Sequence, residues 1–199
     1  MPPLRRGHSF VKRFPRCRFW RWQTRSVKER TLILLRHAKS DWSGEVSDLE
    51  RPLAERGLRQ APLAGRWLDR NIGRIDLAVV SPAHRARSTW ELAEDELAHR
   101  PPTRVDSRGY AASADELLEV VRDLPDEART VVLVVHNPGV ADLTELLTGE
   151  WVPMPTSTLA VLGLEGPWSA AGEHPAVMLA TGRPPEDLPH RHRSRSPAR

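Results

Sequence analysis

Two apolar stretches of this chain end abruptly on a histidine. Residues 31–37 read TLILLRH and residues 130–136 read TVVLVVH, and the first carries Arg36 directly before His37. A neutral imidazole can attack phosphorus in line when arginines hold the phosphoryl oxygens, because each planar guanidinium offers them paired hydrogen bonds. Arg36, His37, Arg85 and His136 supply those parts. Other chemistries lack their motifs: the sequence has no G-x-x-x-x-G-K-[ST] loop, no G-x-G-x-x-G, no G-x-S-x-G elbow, no H-E-x-x-H and no D-x-D pair. A cysteine phosphatase needs an arginine six residues after its nucleophile, and the residue at that distance from Cys17 is Gln23.

The elements that position these side chains follow from periodicity. Leu32 to Leu35, Ile75 to Val80 and Thr130 to Val135 are continuous apolar runs, and STLAVLGL (157–164) and PAVMLATG (175–182) read as two final strands. Between them, Leu58, Ala61, Gly65 and Leu68 share a helical face, with Pro62 expected to kink or delay that helix. Ala86, Trp90, Ala93 and Leu97 form a second helical face, and SADE at Ser113 to Glu116 is a capping box opening a third helix. Asn137 is expected to cap a fourth, with Pro138 as its first residue and Gly149 as its stop. Apolar strands alternating with amphipathic helices predict an α/β three-layer sandwich with a mainly parallel central sheet flanked by helices. Ligands bind such sheets outside the carboxyl ends of the strands. Arg36, His37, Ser81 and His136 are expected there, facing a cationic crevice. The positive end of the helix opened by Asn137 adds Asn137 to the candidate substrate-binding residues.

Three segments carry a family resemblance. LLRHAKSDW resembles the R-H-G signature of the histidine phosphatase superfamily, SPAHRARST resembles its S-P-x-x-R-A-x-x-T segment, and VVHNPGV is similar to its second histidine segment. RHAKSDW followed by LERPLAERGLRQA looks like the small phosphohistidine phosphatase branch called SixA. The resemblance spans roughly residues 31–181 and implies a phosphoglycerate mutase-like fold. It implies His37 as the phosphorylated nucleophile, a phosphate pocket of Arg36, Arg85 and His136, and no metal or other cofactor. Ala38 replaces the usual glycine. Larger relatives carry a glutamate acid in an E-R-x-Y-G stretch, where SRGYA here places Ser107, so the general acid is unassigned; Asp41 is the first alternative donor. The expected substrate is phosphohistidine in a protein. A small phosphate ester, or a catalytically silent phosphate-binding role, stands as the alternative.

Composition limits the partners. The 199 residues carry a formal net charge of +4, but residues 1–30 hold ten Lys+Arg against Glu29 alone, a net of +9. Residues 183–199 add +3, so the middle of the chain carries −8 and gives a nucleic-acid partner no support. The expected organisation is a basic, disordered tail over 1–30, a catalytic domain over 31–182 and a second basic, disordered tail over 183–199. The leading tail suits a transit peptide, a nucleic-acid arm using Trp20 and Trp22, or a misassigned start. It has no apolar run long enough for a secretory signal or membrane span. A lone cysteine excludes a disulfide framework and makes a reducing cytoplasm the default.

Bland roles are expected elsewhere. Arg85 competes with Arg87 for the phosphate, and spacing from Ser81 favours Arg85. Lys39, Ser40, Asp41 and Trp42 read as a solvated loop, Asp48 with Arg51 as a brace for it, and Trp67 and Trp90 as core. His8, His84, His99, His174, His190 and His192 lack the strand-end context and are read as surface residues.

Overall fold

The computed structural model describes residues 30–188. Residues 1–29 and 189–199, with Cys17, Trp20, Trp22, His8, His190 and His192, lie outside the described residues. Arg30 and residues 183–188, expected in the tails, lie inside them, with Arg30 opening a strand, Arg183 bonded to the Thr156 carbonyl and Leu188 packed on the core. The chain alternates as expected: β1 (Arg30–Arg36), α1 (Glu55–Asn71), β2 (Leu77–Val80), α2 (His84–Glu94), β3 (Thr103–Val105), α3 (Ala114–Arg122), β4 (Thr130–Val135), α4 (Gly139–Thr148), β5 (Leu159–Leu164) and β6 (Val177–Gly182). One six-stranded sheet runs in the order β3-β2-β4-β1-β5-β6. The pairs β2–β3, β2–β4 and β1–β4 are parallel, and β5 runs antiparallel to both β1 and β6.

Both faces of the sheet are covered, which is why its central strands are continuously apolar. Successive side chains of a strand point to opposite faces. Leu32 and Leu34 pack with Leu117, Val121, Val140 and Leu143 of α3 and α4, whereas Ile33 and Leu35 pack with Trp67, Leu68, Ala86 and Trp90 of α1 and α2. Each such fully buried aliphatic side chain stabilises the fold by about 1.5–3 kcal/mol. Arg30 belongs to this framework: it is buried, pairs with Asp126 and lies over the Trp168 ring. Among the described residues, no helix is long and apolar enough to cross a membrane.

Several local expectations hold. The capping box at Ser113 has both of its hydrogen bonds, and Gly149 ends α4 at φ 71°, a left-handed conformation that suits a residue without a Cβ. Three differ. Pro62 neither delays nor ends α1, which runs through it from Glu55. Leu58 is not on the buried face but half exposed, since the inward stripe is Gly57, Gln60, Ala61, Ala64, Trp67 and Leu68. Asn137 is not the cap of α4. The cap position is Pro138, reached through a cis peptide bond, and α4 begins at Gly139 with no side-chain cap, because the Asn137 amide bonds the Met154 carbonyl instead.

Candidate active site

Parallel pairing brings the two histidines together. Arg36 is in register with Val135, so the next residues, His37 and His136, leave adjacent strands side by side with ring centroids 4.9 Å apart. Both are buried. Nδ1 of His37 lies 2.7 Å from the Ala38 carbonyl oxygen. A carbonyl only accepts, so Nδ1 carries the hydrogen and Nε2 is left with the lone pair. His136 is oriented by Ser81 at the end of β2, whose Oγ lies 2.7 Å from Nε2, while Nδ1 of His136 is buried without a partner.

The arginines arrive from two elements. Arg36 ends β1 and donates from Nη1 to the Met154 carbonyl at 2.7 Å, the oxygen that also accepts from Asn137. Arg85, in the first turn of α2, is buried and donates from both terminal nitrogens to Asp48, to its backbone carbonyl and, at 2.9 Å, to Oδ2. Thr89, one turn later in α2, donates to the Arg85 carbonyl and accepts the Ala38 N–H at 2.9 Å, tying that helix to the loop after His37. Burial pushes His37 down to about 4; its bond to Ala38 opposes this, and Arg85, Arg36 and Arg51 reinforce it. Burial also leads for His136, with His37 and Arg85 adding to it, and brings it to about 3. Both imidazoles are therefore neutral at pH 7, the state in which an imidazole nitrogen can act as a nucleophile.

The chain aligns with known proteins. A family model described as histidine phosphatase superfamily (branch 1) matches residues 32–108. An uncharacterized protein of Mycobacterium tuberculosis is 35% identical over 149 residues, covering 68% of this chain and 90% of that protein. The chain belongs to the histidine phosphatase superfamily. A phosphohistidine phosphatase SixA homolog of Haemophilus influenzae is 27% identical over 134 residues, 62% of this chain and 80% of its own. Among solved structures, one from Nakamurella multipartitia named for SixA superposes with TM-score 0.70 at 29% identity, covering 78% of this chain and 96% of that one. By family, then, the chain is a phosphatase-type hydrolase with SixA-like relatives.

The remaining candidates of this histidine phosphatase separate clearly. Arg87 is half-buried in α2 and bonds none of the site residues, whereas Arg85 is buried, bonds Asp48 and lies close enough to both histidines to lower their basicity. Lys39 is exposed; Asp41 accepts the Ser43 N–H, and that bond, with a second from the Ser43 hydroxyl, holds its carboxyl below the usual range, which makes it a poor acid. Ser107 opens a short 3-10 turn (Ser107–Gly109) and is exposed. His84, His99 and His174 stay at the surface, half-buried or exposed, and Trp67 and Trp90 are core. Asp48 does bond Arg51, at 2.5 Å, but it also binds Arg85 and accepts the Tyr110 hydroxyl at 2.8 Å, contacts that the sequence reading missed. Ser81 stands at the crevice as expected, but its bond to His136 and the role of Thr89 were missed, although both stand in the SPAHRARST segment. A cavity of about 780 Å³ lined by Arg74, Asp76, His99 and Arg100 lies at the amino ends of β2 and β3, away from the histidines. In a sheet of this kind the chemistry belongs at the other end. Among the described residues, no group of His, Cys, Asp and Glu is arranged to hold a metal ion.

Proposed function

We propose that this histidine phosphatase hydrolyses phosphoryl groups through a covalent phosphohistidine on His37, and that its substrate is phosphohistidine in a protein. The observation that carries the reading is the His37 Nδ1–Ala38 bond, which aims a neutral, lone-pair-bearing Nε2 from the strand end beside Arg36, Arg85 and His136. Nε2 forms a bond to phosphorus as the bond to the leaving group breaks. Arg36 and Arg85 offset charge on the phosphoryl oxygens in the transition state. Water then attacks the phosphorus, the N–P bond breaks, and inorganic phosphate leaves with His37 restored. Guanidinium groups stand where a metal ion would otherwise neutralise charge, so turnover proceeds without one.

The substrate class follows from the missing acid. Asp48 is the carboxylate that Arg85 bonds. Burial opposes its ionisation, but hydrogen bonds from Arg51, Tyr110 and Arg85 outweigh that and hold it far below the usual carboxylate range. An unactivated alcohol ester needs a strong proton donor to expel its alkoxide. A phosphoramidate is protonated on nitrogen and needs none. The segment between Arg85 and His136 is spent on α2, β3, a short turn and α3, leaving no lid to enclose a small metabolite. The names of the SixA relatives support the same class, and a cytoplasmic setting fits a chain with one cysteine.

The test compares substrates on one preparation. Phosphohistidine protein and aryl phosphates should exceed alkyl and sugar phosphates by at least about tenfold in kcat/KM, a barrier difference of about 1.4 kcal/mol. His37→Ala should abolish turnover. A clear preference for a sugar phosphate would reassign the enzyme to a metabolite, and phosphate binding without any turnover would make the protein a binding module.

A further inference from the structure

Asp48 lies in the exposed loop between β1 and α1, yet two distant parts of the chain and a neighbour in the loop converge on it. Arg85 of α2 bonds its backbone carbonyl and Oδ2, Arg51 reaches Oδ1 at 2.5 Å, and the Tyr110 hydroxyl, from the turn after β3, donates to Oδ2 at 2.8 Å. Arg51 is itself fixed, since its other terminal nitrogen bonds Ser40 and its face lies 3.5 Å from the Trp42 ring centroid. Tyr110 in turn sets its ring edge-on to His136, centroids 5.9 Å apart. A planar guanidinium gripped by both terminal nitrogens cannot rotate, so its Nε–H and its second terminal hydrogens keep fixed directions. The carboxylate also lies close enough to Arg85 to offset part of the charge that a bound phosphate would feel.

We propose that Asp48 is a positioning residue of the phosphoryl pocket: it fixes the Arg85 fork for the transferring group and weakens the hold of that arginine on the phosphate product. The proposal rests on the reading of the crevice as a phosphatase site. Freed from the Asp48 carboxylate, Arg85 keeps only the backbone carbonyl bond, so it has a further donor and more net charge for a ground-state anion but a looser aim at the transition state. Binding and turnover should then move in opposite directions, which loss of fold alone does not produce.

The experiment uses the full chain and two probes, an aryl phosphate for turnover and inorganic phosphate for equilibrium binding by calorimetry. Asp48→Ala should lower kcat by about 10- to 100-fold while tightening phosphate binding by about tenfold. Asp48→Asn keeps the size and one acceptor oxygen, and Asp48→Glu keeps the charge; each should recover part of kcat, and Asp48→Glu should restore weak phosphate binding. Because Asp48 acts through Arg85, adding Asp48→Ala to Arg85→Ala should cost no further kcat. Weaker phosphate binding in Asp48→Asn, or additive losses in the double variant, would overturn the proposal. Wild-type protein that binds phosphate but turns nothing over would sink the phosphatase reading instead, and calorimetry on the Asp48 variants would still decide the effect on phosphate.

Discussion

Gly57 lies in the first turn of α1, against the loop that follows His37, the proposed nucleophile. A Cβ at this position would stand 2.1 Å from the Lys39 carbonyl oxygen and 3.1 and 3.2 Å from the Lys39 carbonyl carbon and nitrogen. Real Cβ atoms do not approach within 3.0 Å of another heavy atom, so Gly57→Ala forces the loop back by about 1 Å. The loop has little independent freedom. The same carbonyl accepts the Ala54 N–H at 2.9 Å, the Asp41 N–H bonds the Pro52 carbonyl at 2.9 Å, and Ser40 bridges to Leu53. Displacement therefore passes to Ala38, whose carbonyl fixes the His37 ring. A 1 Å error in the placement of a reacting group costs about 10²-fold in rate. The stability change is smaller, because the alanine gains about 1 kcal/mol of helix propensity against about 1–3 kcal/mol of overpacking. Aryl phosphate turnover and urea unfolding, measured on the same samples, should show a rate loss far larger than the stability loss. Gly44→Ala, where a Cβ meets nothing within 4 Å, should match wild type in both. A folded Gly57→Ala enzyme with unchanged kcat would refute the claim that this contact sets the nucleophile loop.

Arg85→Ala should lose about 10²–10³-fold in kcat, and Arg87→Ala should lose almost none; the reverse order would break the arginine assignment. Histidines held neutral in the native state, at about 4 for His37 and about 3 for His136, bind fewer protons than in the unfolded chain, where the usual value is about 6.5. The unfolded state thus takes up protons first as pH falls, and stability should drop below pH 6.5 by up to about 1.4 kcal/mol per pH unit per histidine until the native values are reached. Urea midpoints at pH 7, 6 and 5 measure that slope, which His136→Gln should flatten; an identical slope in the variant would mean that His136 is charged when folded. Aryl phosphatase activity should survive excess EDTA, and loss on chelation restored by one divalent ion would require a metal in the mechanism.

The residues proposed to do the chemistry were legible because each is anchored to a strong local signal. Buried parallel strands must be apolar on both faces, so an arginine or histidine at the end of one stands out, and register does the rest: Arg36 opposite Val135 makes His37 and His136 neighbours without any further information. The residues that aim them were not legible, because their partners are remote in sequence. Asp48 pairs with Arg51 three positions on, which periodicity can suggest, but its grip on Arg85 and Tyr110 depends on how α2 and the turn after β3 settle on the sheet. The helix faces failed for a related reason. Spacing alone placed Leu58 inward, yet in the first turn of α1 it is Gly57 that lies against the Lys39 carbonyl, and Leu58 is exposed. Asn137 kept a helix-capping composition while its amide was drawn to Met154, an oxygen shared with Arg36. Thr89 shows how the two kinds of residue connect. It stands four residues after Arg85 because one helical turn lets its hydroxyl donate to the Arg85 carbonyl at 2.6 Å and still accept the Ala38 N–H. The spacing from Arg85 to Thr89 in SPAHRARST thus records a physical requirement: the helix that carries the proposed phosphate-binding arginine also holds the loop that follows the proposed nucleophile.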